Sequence, residues 1–249
     1  MQTRLLSPSI NAIFALMVTA ALQAGPVAGE LNPRHGESPE TILIRMEQRL
    51  QAQIETLSEA QATREYRVIN PFLKEPAYWL VKEDYTSPGS RKLQVVQRRA
   101  PRFLERLLLN PIVEAETATA TPEMHPCVDI TRTNYSFSWV RYDHPSSAYV
   151  FRVEPRTDQE FLFRGFIWVD ARDYAVKRIE GSPARKPSVW VKESRFVHEF
   201  ANFDGFWLPV HHRSEAGLRM FGTATLEIKY SNYILKGHKG GHGNEHNGS

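Results

Sequence analysis

The sequence predicts a single mixed α+β domain in which one strongly curved antiparallel sheet carries two or more helices on its concave side. Apolar residues recur at spacings of three and four in two segments of the first half, whereas most of the remaining chain alternates apolar with polar residues. The strand-like segments follow one another through short turns, which favours an antiparallel sheet over a parallel one. With 249 residues, 41% of them hydrophobic, the chain fits one domain of moderate size.

The N-terminus has the pattern of a cleaved signal peptide. Arg4 precedes the apolar run "INAIFALMVTAAL", and small residues follow in "LQAGPVAGE". The run is shorter than the roughly 20 apolar residues of a membrane-spanning helix. We predict a signal peptide over residues 1–29, cleaved after Ala24 or Gly29, and a mature protein in the periplasm. No cysteine directly follows the run to accept a lipid anchor.

Charge and cysteine content argue against a nucleic-acid-binding protein and against a domain stabilised by disulfides. Lys and Arg number 31 against 28 Asp and Glu, without a basic run interleaved with aromatics, which argues against nucleic-acid binding. Cys127 is the single cysteine, so no internal disulfide can form even in an oxidising compartment. Its surroundings, "MHPCVDI", match no nucleophile motif, and we expect a buried or tolerated thiol.

The first helix is predicted to begin after Ser38, an N-cap, with Pro39 at its first position. It carries one apolar stripe, expected to face the sheet, and ends near "LSEAQATRE". The stripe consists of Leu43, Met46, Leu50, Ile54 and Leu57.

Three short strands come next, "REYRVIN", "AYWLVKE" and "RKLQVVQR", separated by the turns "NPFLKEP" and "DYTSPGS". A second helix is predicted from Pro101 to about Asn110, with an apolar side formed by Phe103, Leu104, Leu107 and Leu108. We interpret "ETATATPEMHP" as a loop.

From Thr131 to Ile234 the pattern predicts a long antiparallel meander. Its alternating segments "NYSFSWV", "SAYVFRVEP" and "TATLEIKYSNY" place many large aromatic residues on one face of the sheet. "FLFRGFIWVDARDYAVKRIEG" reads as two strands joined at "DARD". Its first strand has apolar residues on both faces, so we expect a helix layer or a ligand to cover both. The two faces are Phe161, Phe163, Ile167 and Val169, and Leu162, Phe166 and Trp168 with Arg164.

The chain lacks the common catalytic motifs HExxH, GxSxG, the P-loop and CxxC. His211 and His212 are neighbours on a strand and point to opposite faces, so they do not readily bind one metal ion. Asp170 and Asp173 fit the turn chemistry of "DARD". We predict no catalytic residue, no metal site, no cofactor and no enzyme activity. The other His and acidic residues considered for a catalytic site are His198, Asp204 and Glu199.

The C-terminal segment, residues 236–249, is rich in glycine and is predicted to be disordered. Its histidines, four residues apart, offer weak metal capture as an alternative, although glycine opposes the helix that would bring them together. They are His238, His242 and His246.

The succession "FRGFIWVDARDYAVKRIEG", "SRFVHEF" and "FDGFWLPVHHRSE" resembles the strand, turn, strand and G-x-W-L-P progression of periplasmic outer-membrane lipoprotein carrier and sorting proteins, the LolA/LolB-like superfamily. The resemblance covers about residues 40–235 and is most distinctive over 130–235. It implies an unclosed antiparallel β-barrel, a half-barrel, that wraps over helices and leaves an apolar cavity for acyl chains. We therefore predict one carrier domain over residues 30–235.

The predicted function is a periplasmic carrier that binds acyl chains of lipids or lipoproteins for transfer towards the outer membrane, with membrane donor and acceptor proteins as candidate partners. Exposing an acyl chain to water costs about 0.8 kcal/mol per methylene, which an apolar cavity offsets without catalysis. Two alternatives stay open: a sensor or scaffold that binds a partner protein, and a hydrolase with an unrecognised site. The predicted ligand-binding face is Phe137, Trp139, Tyr149, Phe151, Phe163, Ile167, Leu226 and Ile228.

Overall fold

The computed structural model describes residues 36–87, 90–102, 105–119, 128–159, 161–185, 191–219 and 222–237. The predicted signal peptide, Cys127 and the tail histidines lie outside these residues. Helix α1 spans Pro39–Thr56 and α2 spans Asn110–Thr119, preceded by a π-helical turn at Glu105–Leu109. The strands are β1 Leu57–Ile69, β2 Ala77–Thr86, β3 Ser90–Arg99, β4 Tyr135–Asp143, β5 Ala148–Pro155, β6 Phe163–Asp170, β7 Val176–Pro183, β8 Val191–Phe203, β9 Phe206–Leu218 and β10 Gly222–Gly237.

The ten strands form one antiparallel sheet in the order β3-β2-β1-β10-β9-β8-β7-β6-β5-β4. The predicted antiparallel meander is confirmed, because β4 to β10 pair in chain order. β1 then pairs with β10, which joins the first hairpin to the meander. β3 and β4 end the sheet among the described strands, so the sheet is not closed into a barrel.

Helix α1 begins and ends as predicted, and β1 follows it directly. The Ser38 Oγ accepts a hydrogen bond from the Thr41 N–H at 3.1 Å, and Pro39 opens the helix. It ends at Thr56, directly before "LSEAQATRE", as predicted, but β1 starts at Leu57, earlier than the predicted strand "REYRVIN". This segment pairs with β10 on one side and, from Glu59 on, with β2 on the other, and these ladders override its helix-forming composition.

The second helical segment starts within the predicted range and extends beyond its predicted end. A π-helical turn at Glu105–Leu109 leads into α2, which continues to Thr119 and includes the start of the predicted loop "ETATATPEMHP". Pro111 has no N–H to donate to the preceding turn, and the five residues directly before α2 form the wider π-helical turn.

Apolar side chains gather in two main clusters. In the α1 cluster, Ile42, Leu43 and Met46 of α1 pack with buried residues of β4 to β9. In the α2 cluster, Leu109 and Ile112 pack with buried residues of β1, β2 and β10. Each helix therefore covers a different part of the sheet. No described helix is both long and apolar enough to cross a membrane.

The outer face of β6 is covered differently from our expectation. Phe163, Ile167 and Val169 are buried in the α1 cluster, but on the other face Phe166 is 38% exposed. Trp168 lies beneath the guanidinium of Arg178, 5.5 Å from the ring centroid. Among the described residues, this face is therefore partly open, with Trp168 shielded by Arg178 and Phe166 exposed, and the expected helix layer over it is not seen.

Candidate ligand-binding site

The predicted ligand-binding residues do not form one group. Of the eight, six belong to the α1 cluster and two to the α2 cluster. Tyr149, Phe151, Phe163 and Ile167 are buried in the α1 cluster, and Phe137 and Trp139 are partly buried against it. Leu226 and Ile228 lie in the α2 cluster, under a different helix. The ligand-binding role of all eight residues stays a prediction.

The aromatic residues of the α1 cluster pack edge to face, as in a protein core. The ring centroids of Trp139 and Phe151 are 5.5 Å apart at an interplanar angle of 80°, and those of Phe163 and Phe196 are 5.6 Å apart at 73°. The Tyr149 hydroxyl is buried without a hydrogen-bond partner among the described residues. Its burial raises the pKa of Tyr149, so this side chain is neutral at physiological pH.

A cavity of about 230 Å³ lies between the second half of α1 and strands β7 to β9. Apolar side chains form most of its wall, and none of the eight predicted residues is among them. The apolar lining includes Met46, Leu50, Val176, Ile179, Phe200 and Trp207. Leu50 and Ile54, the later members of the predicted stripe, are only half-buried. The helix is therefore packed less closely to the sheet at this end.

Polar contacts hold α1 on both sides of the cavity. The Gln53 side-chain amide donates to the Trp207 carbonyl at 3.0 Å and accepts from the Trp207 N–H at 2.8 Å, while Arg49 donates to the Gly205 carbonyl. Towards the start of the helix, Arg132 pairs with Glu40 and with Glu47. These contacts are partly exposed and individually weak. They position α1, but they hold it less firmly than a fully buried apolar face would.

An inward-facing ion pair forms beside the α2 cluster. Arg64 of β1 contacts both carboxylate oxygens of Glu83 on β2, at 2.7 and 2.6 Å, and the two side chains are 4% and 9% exposed. Arg91 of β3 reaches the same carboxylate at 2.9 Å. The Arg64 guanidinium also lies 5.1 Å from the ring centroid of Tyr230. This charged group is built into the interior of the sheet, where a missing partner is costly.

Two histidines join the α1 and α2 clusters. His198 of β8 lies 5.2 Å from His212 of β9, between ring centroids, and stacks on Phe200 at 4.6 Å and on Tyr230 at 6.1 Å. Its Nε2 is buried without a hydrogen-bond partner in the described residues. Burial, and then the positive charges of His212, Arg64 and His211, lower the pKa of His198 well below its ordinary value of 6.5. His198 is therefore neutral in the folded protein.

Acidification is expected to destabilise the protein through His198. In the unfolded chain His198 takes up a proton near pH 6.5, whereas in the folded protein it stays neutral at that pH. The free energy of unfolding is therefore unaffected by His198 above pH 6.5 and falls below it, by up to about 1.4 kcal/mol per pH unit. His198→Phe keeps the ring contacts and removes the proton site. Urea unfolding between about pH 7.5 and 5.5 should give a flatter pH dependence for this variant than for His211→Gln, its outer-face control. Equal slopes in both variants would contradict the assignment.

The other polar candidates have structural surroundings. His211 lies on the face opposite to His212, as predicted, 3.5 Å from Glu199. The Asp170 carboxylate accepts from the Arg172 N–H at 2.9 Å, which confirms its role in the turn. Within the described residues, no group of three or more His, Cys, Asp or Glu is arranged to hold a metal ion.

Asp173 and Asp204 also lie at turns. Asp173 accepts from the Ala175 N–H at 3.3 Å and from the Trp207 indole, so it joins the β6–β7 turn to β9. Asp204 has a positive φ of 50° in the tight turn between β8 and β9. The turn interpretation of Asp173 is confirmed, with an added tertiary contact that the sequence did not indicate.

Comparison with known proteins gives matches only at the level of structure. No protein-family model and no curated protein matches the chain. A domain described as outer membrane lipoprotein-sorting, from Vibrio parahaemolyticus, is 12% identical and covers 80% of this chain and 93% of that one, with a TM-score of 0.48.

Two further solved structures have similar scores. A LolA superfamily protein from Nitrosomonas europaea is 14% identical, with 81% and 94% of the two chains covered and a TM-score of 0.41. A DUF1329 family protein from Desulfovibrio piger is 11% identical, with 78% and 90% covered and a TM-score of 0.43. One of these three solved structures is described as a member of the superfamily that the sequence resembles.

Proposed function

We propose that this protein is a periplasmic carrier that binds an acyl chain of a lipid or lipoprotein between α1 and the curved sheet, for transfer towards the outer membrane. The observation that carries the proposal is the apolar cavity beneath the second half of α1. In this proposal α1 and α2 lie on the concave side of a half-barrel, and α1 is its movable cover.

The size of the cavity supports binding of part of an acyl chain. Its volume of about 230 Å³ exceeds the roughly 150 Å³ of an apolar cavity that accepts benzene. Drug-sized ligands need about 300–1,000 Å³. A complete acyl chain therefore requires α1 to move outward and expose more of the α1 cluster. Burial of each methylene of the acyl chain contributes about 0.8 kcal/mol, which offsets the free-energy cost of moving α1.

Filling the cavity is expected to abolish acyl binding without unfolding the protein. Val176 lines the cavity from β7, and Val176→Phe places a ring in the space that the chain would occupy. Fluorescent acyl-probe titration should show at least about tenfold weaker binding, since about 1.4 kcal/mol corresponds to tenfold. Val197→Phe, on the outer face of β8, is the matched control and should bind normally. Equal affinities in the two variants would exclude this cavity as the site.

A sensor or scaffold that binds a partner protein is the second candidate. The packed aromatic rings of the α1 cluster favour it, because Tyr135, Tyr149 and Phe151 are fully buried by the protein itself. Native mass spectrometry of protein purified gently from the periplasm separates the two functions. Lipid adducts support the carrier. A lipid-free protein that binds no acyl probe contradicts it and leaves the scaffold.

A further inference from the structure

The basic charge of the chain is concentrated at one edge of the sheet. Residues 90–102, "SRKLQVVQRRAPR", contain five basic residues and no acidic one, while the whole chain has a formal net charge of +3. The rest of the chain is therefore slightly acidic. The five are Arg91, Lys92, Arg98, Arg99 and Arg102. Arg91 pairs with Glu83 and Arg98 with Glu105, and Lys92 is the ladder partner of Asp84, so the basic charge that faces outward comes chiefly from Lys92, Arg99 and Arg102. Most of this segment is β3, the strand that ends the described sheet on one side.

β3 is held firmly on its inner face and exposed elsewhere. Leu93 and Val95 pack against the α2 cluster, and Arg91 binds the buried Glu83. Lys92, Gln94 and Val96 are exposed, Val96 to 44%. A strand at the end of a sheet presents backbone N–H and C=O groups along its free side, where another strand can pair with it.

The opposite end of the described sheet differs in charge. In β4, Arg141 and Asp143 neutralise each other at 3.6 Å, and no other charged residue occurs between Tyr135 and Asp143. Opposite charges on facing residues of paired strands contribute roughly 0.2–1 kcal/mol each, and like charges are destabilising. Pairing of an acidic strand is therefore favoured by charge at β3, and charge does not favour it at β4.

We infer that the β3 edge is a docking site for an extended acidic segment of a partner protein, which adds a strand to the sheet beside Ser90–Arg99. Main-chain hydrogen bonds supply the pairing, while acidic side chains of the segment face Lys92 and Arg99 on the outer side. Basic residues on edge strands also keep neutral and basic strands from pairing, which sharpens the selection for an acidic one. The site is separate from the cavity under α1.

The test uses the intact mature protein and a labelled peptide in which Glu alternates with Val. We expect binding that weakens with salt, no binding of the matching Lys-Val peptide, and slower hydrogen exchange at alternate amides of β3 when the acidic peptide is present. Lys92→Glu combined with Arg99→Glu should weaken binding about tenfold or more. Arg141→Glu in β4 with Arg152→Glu in the adjacent β5 makes the same change of charge near the other edge and should leave binding unchanged.

Three outcomes would overturn the inference. Equal loss in the two double variants would show that only net charge matters. Binding without slower exchange in β3 would show a charged surface contact without strand addition. Binding to phosphatidylglycerol vesicles, lost in Lys92→Glu with Arg99→Glu, together with no peptide binding would assign the edge to a membrane surface. Acyl-probe affinity measured in parallel reports on the cavity alone.

Discussion

Replacing Glu83 with glutamine is expected to lower the free energy of unfolding by about 3–5 kcal/mol. The change keeps the size of the side chain and removes its charge. Arg64, only 4% exposed, would then keep a buried guanidinium beside a neutral amide, and Arg91 would lose the same carboxylate. The loss measures the cost of an uncompensated buried charge more than the strength of the original pair.

Two comparisons sharpen this result in urea unfolding at neutral pH. Glu215→Gln removes one carboxylate from the exposed Arg213 pair and should cost less than about 1 kcal/mol. Arg64→Met combined with Glu83→Leu removes both buried charges and should be clearly more stable than Glu83→Gln alone. If Glu83→Gln costs no more than Glu215→Gln, then the interior pair is solvated and our account of it is wrong.

The sequence contained part of the evidence for this pair. Alternation in "REYRVIN" places Arg64 on the same face as the apolar side of β1, and alternation in "AYWLVKE" does the same for Glu83 on β2. It did not indicate that the two side chains meet. That depends on the register of β1 against β2, where Ala62 faces Glu83 and Arg64 faces Val81. Register is set by the whole sheet and by the turn between the strands, so it cannot be read from the pattern of a single strand.

The eight predicted binding residues fall in two clusters for a similar reason. Aromatic alternation in β4 to β6 is a local signal, and its residues gather in the α1 cluster. Leu226 obeys the same alternation, but β10 is four strands from β6 in the sheet and lies under α2. Sharing a face of a ten-stranded sheet does not put two residues in contact. The cavity was missed because its volume depends on how far the second half of α1 stands from the sheet, although Leu50 of the predicted stripe lines it.

Gly165→Ala is expected to destabilise the protein by about 3 kcal/mol or more. Gly165 of β6 faces Gly181 of β7, and a Cβ at Gly165 would lie 2.0 Å from the Glu180 carbonyl oxygen and 2.6 Å from the Gly181 Cα. Both atoms belong to the backbone, so no side-chain rotation relieves the clash. The φ of +155° at Gly165 adds strain for any residue with a Cβ.

The glycine pair also explains how the aromatic cluster sits on the sheet. A Cβ at Gly181 would lie 2.9 Å from the Phe163 Cδ2, so the absence of a side chain there lets the Phe163 ring lie against β7 and meet Phe196 edge to face. Widening the β6–β7 pair should shift β7, which carries Val176 and Ile179 into the cavity wall. Gly165→Ala is therefore expected to weaken acyl-probe binding together with stability.

Gly217→Ala in β9 is the matched control for thermal and urea unfolding. A Cβ at Gly217 would lie 3.4 Å from the Glu193 Cγ, an ordinary contact with a flexible side chain, and alanine in a strand should change stability by less than about 1 kcal/mol. If Gly165→Ala unfolds at the same urea concentration as Gly217→Ala, then β6 and β7 do not approach as closely as the Gly165–Gly181 contact requires. The aromatic rings of Phe163 and Phe196 would in that case owe their arrangement to α1 and not to the glycine pair beneath them.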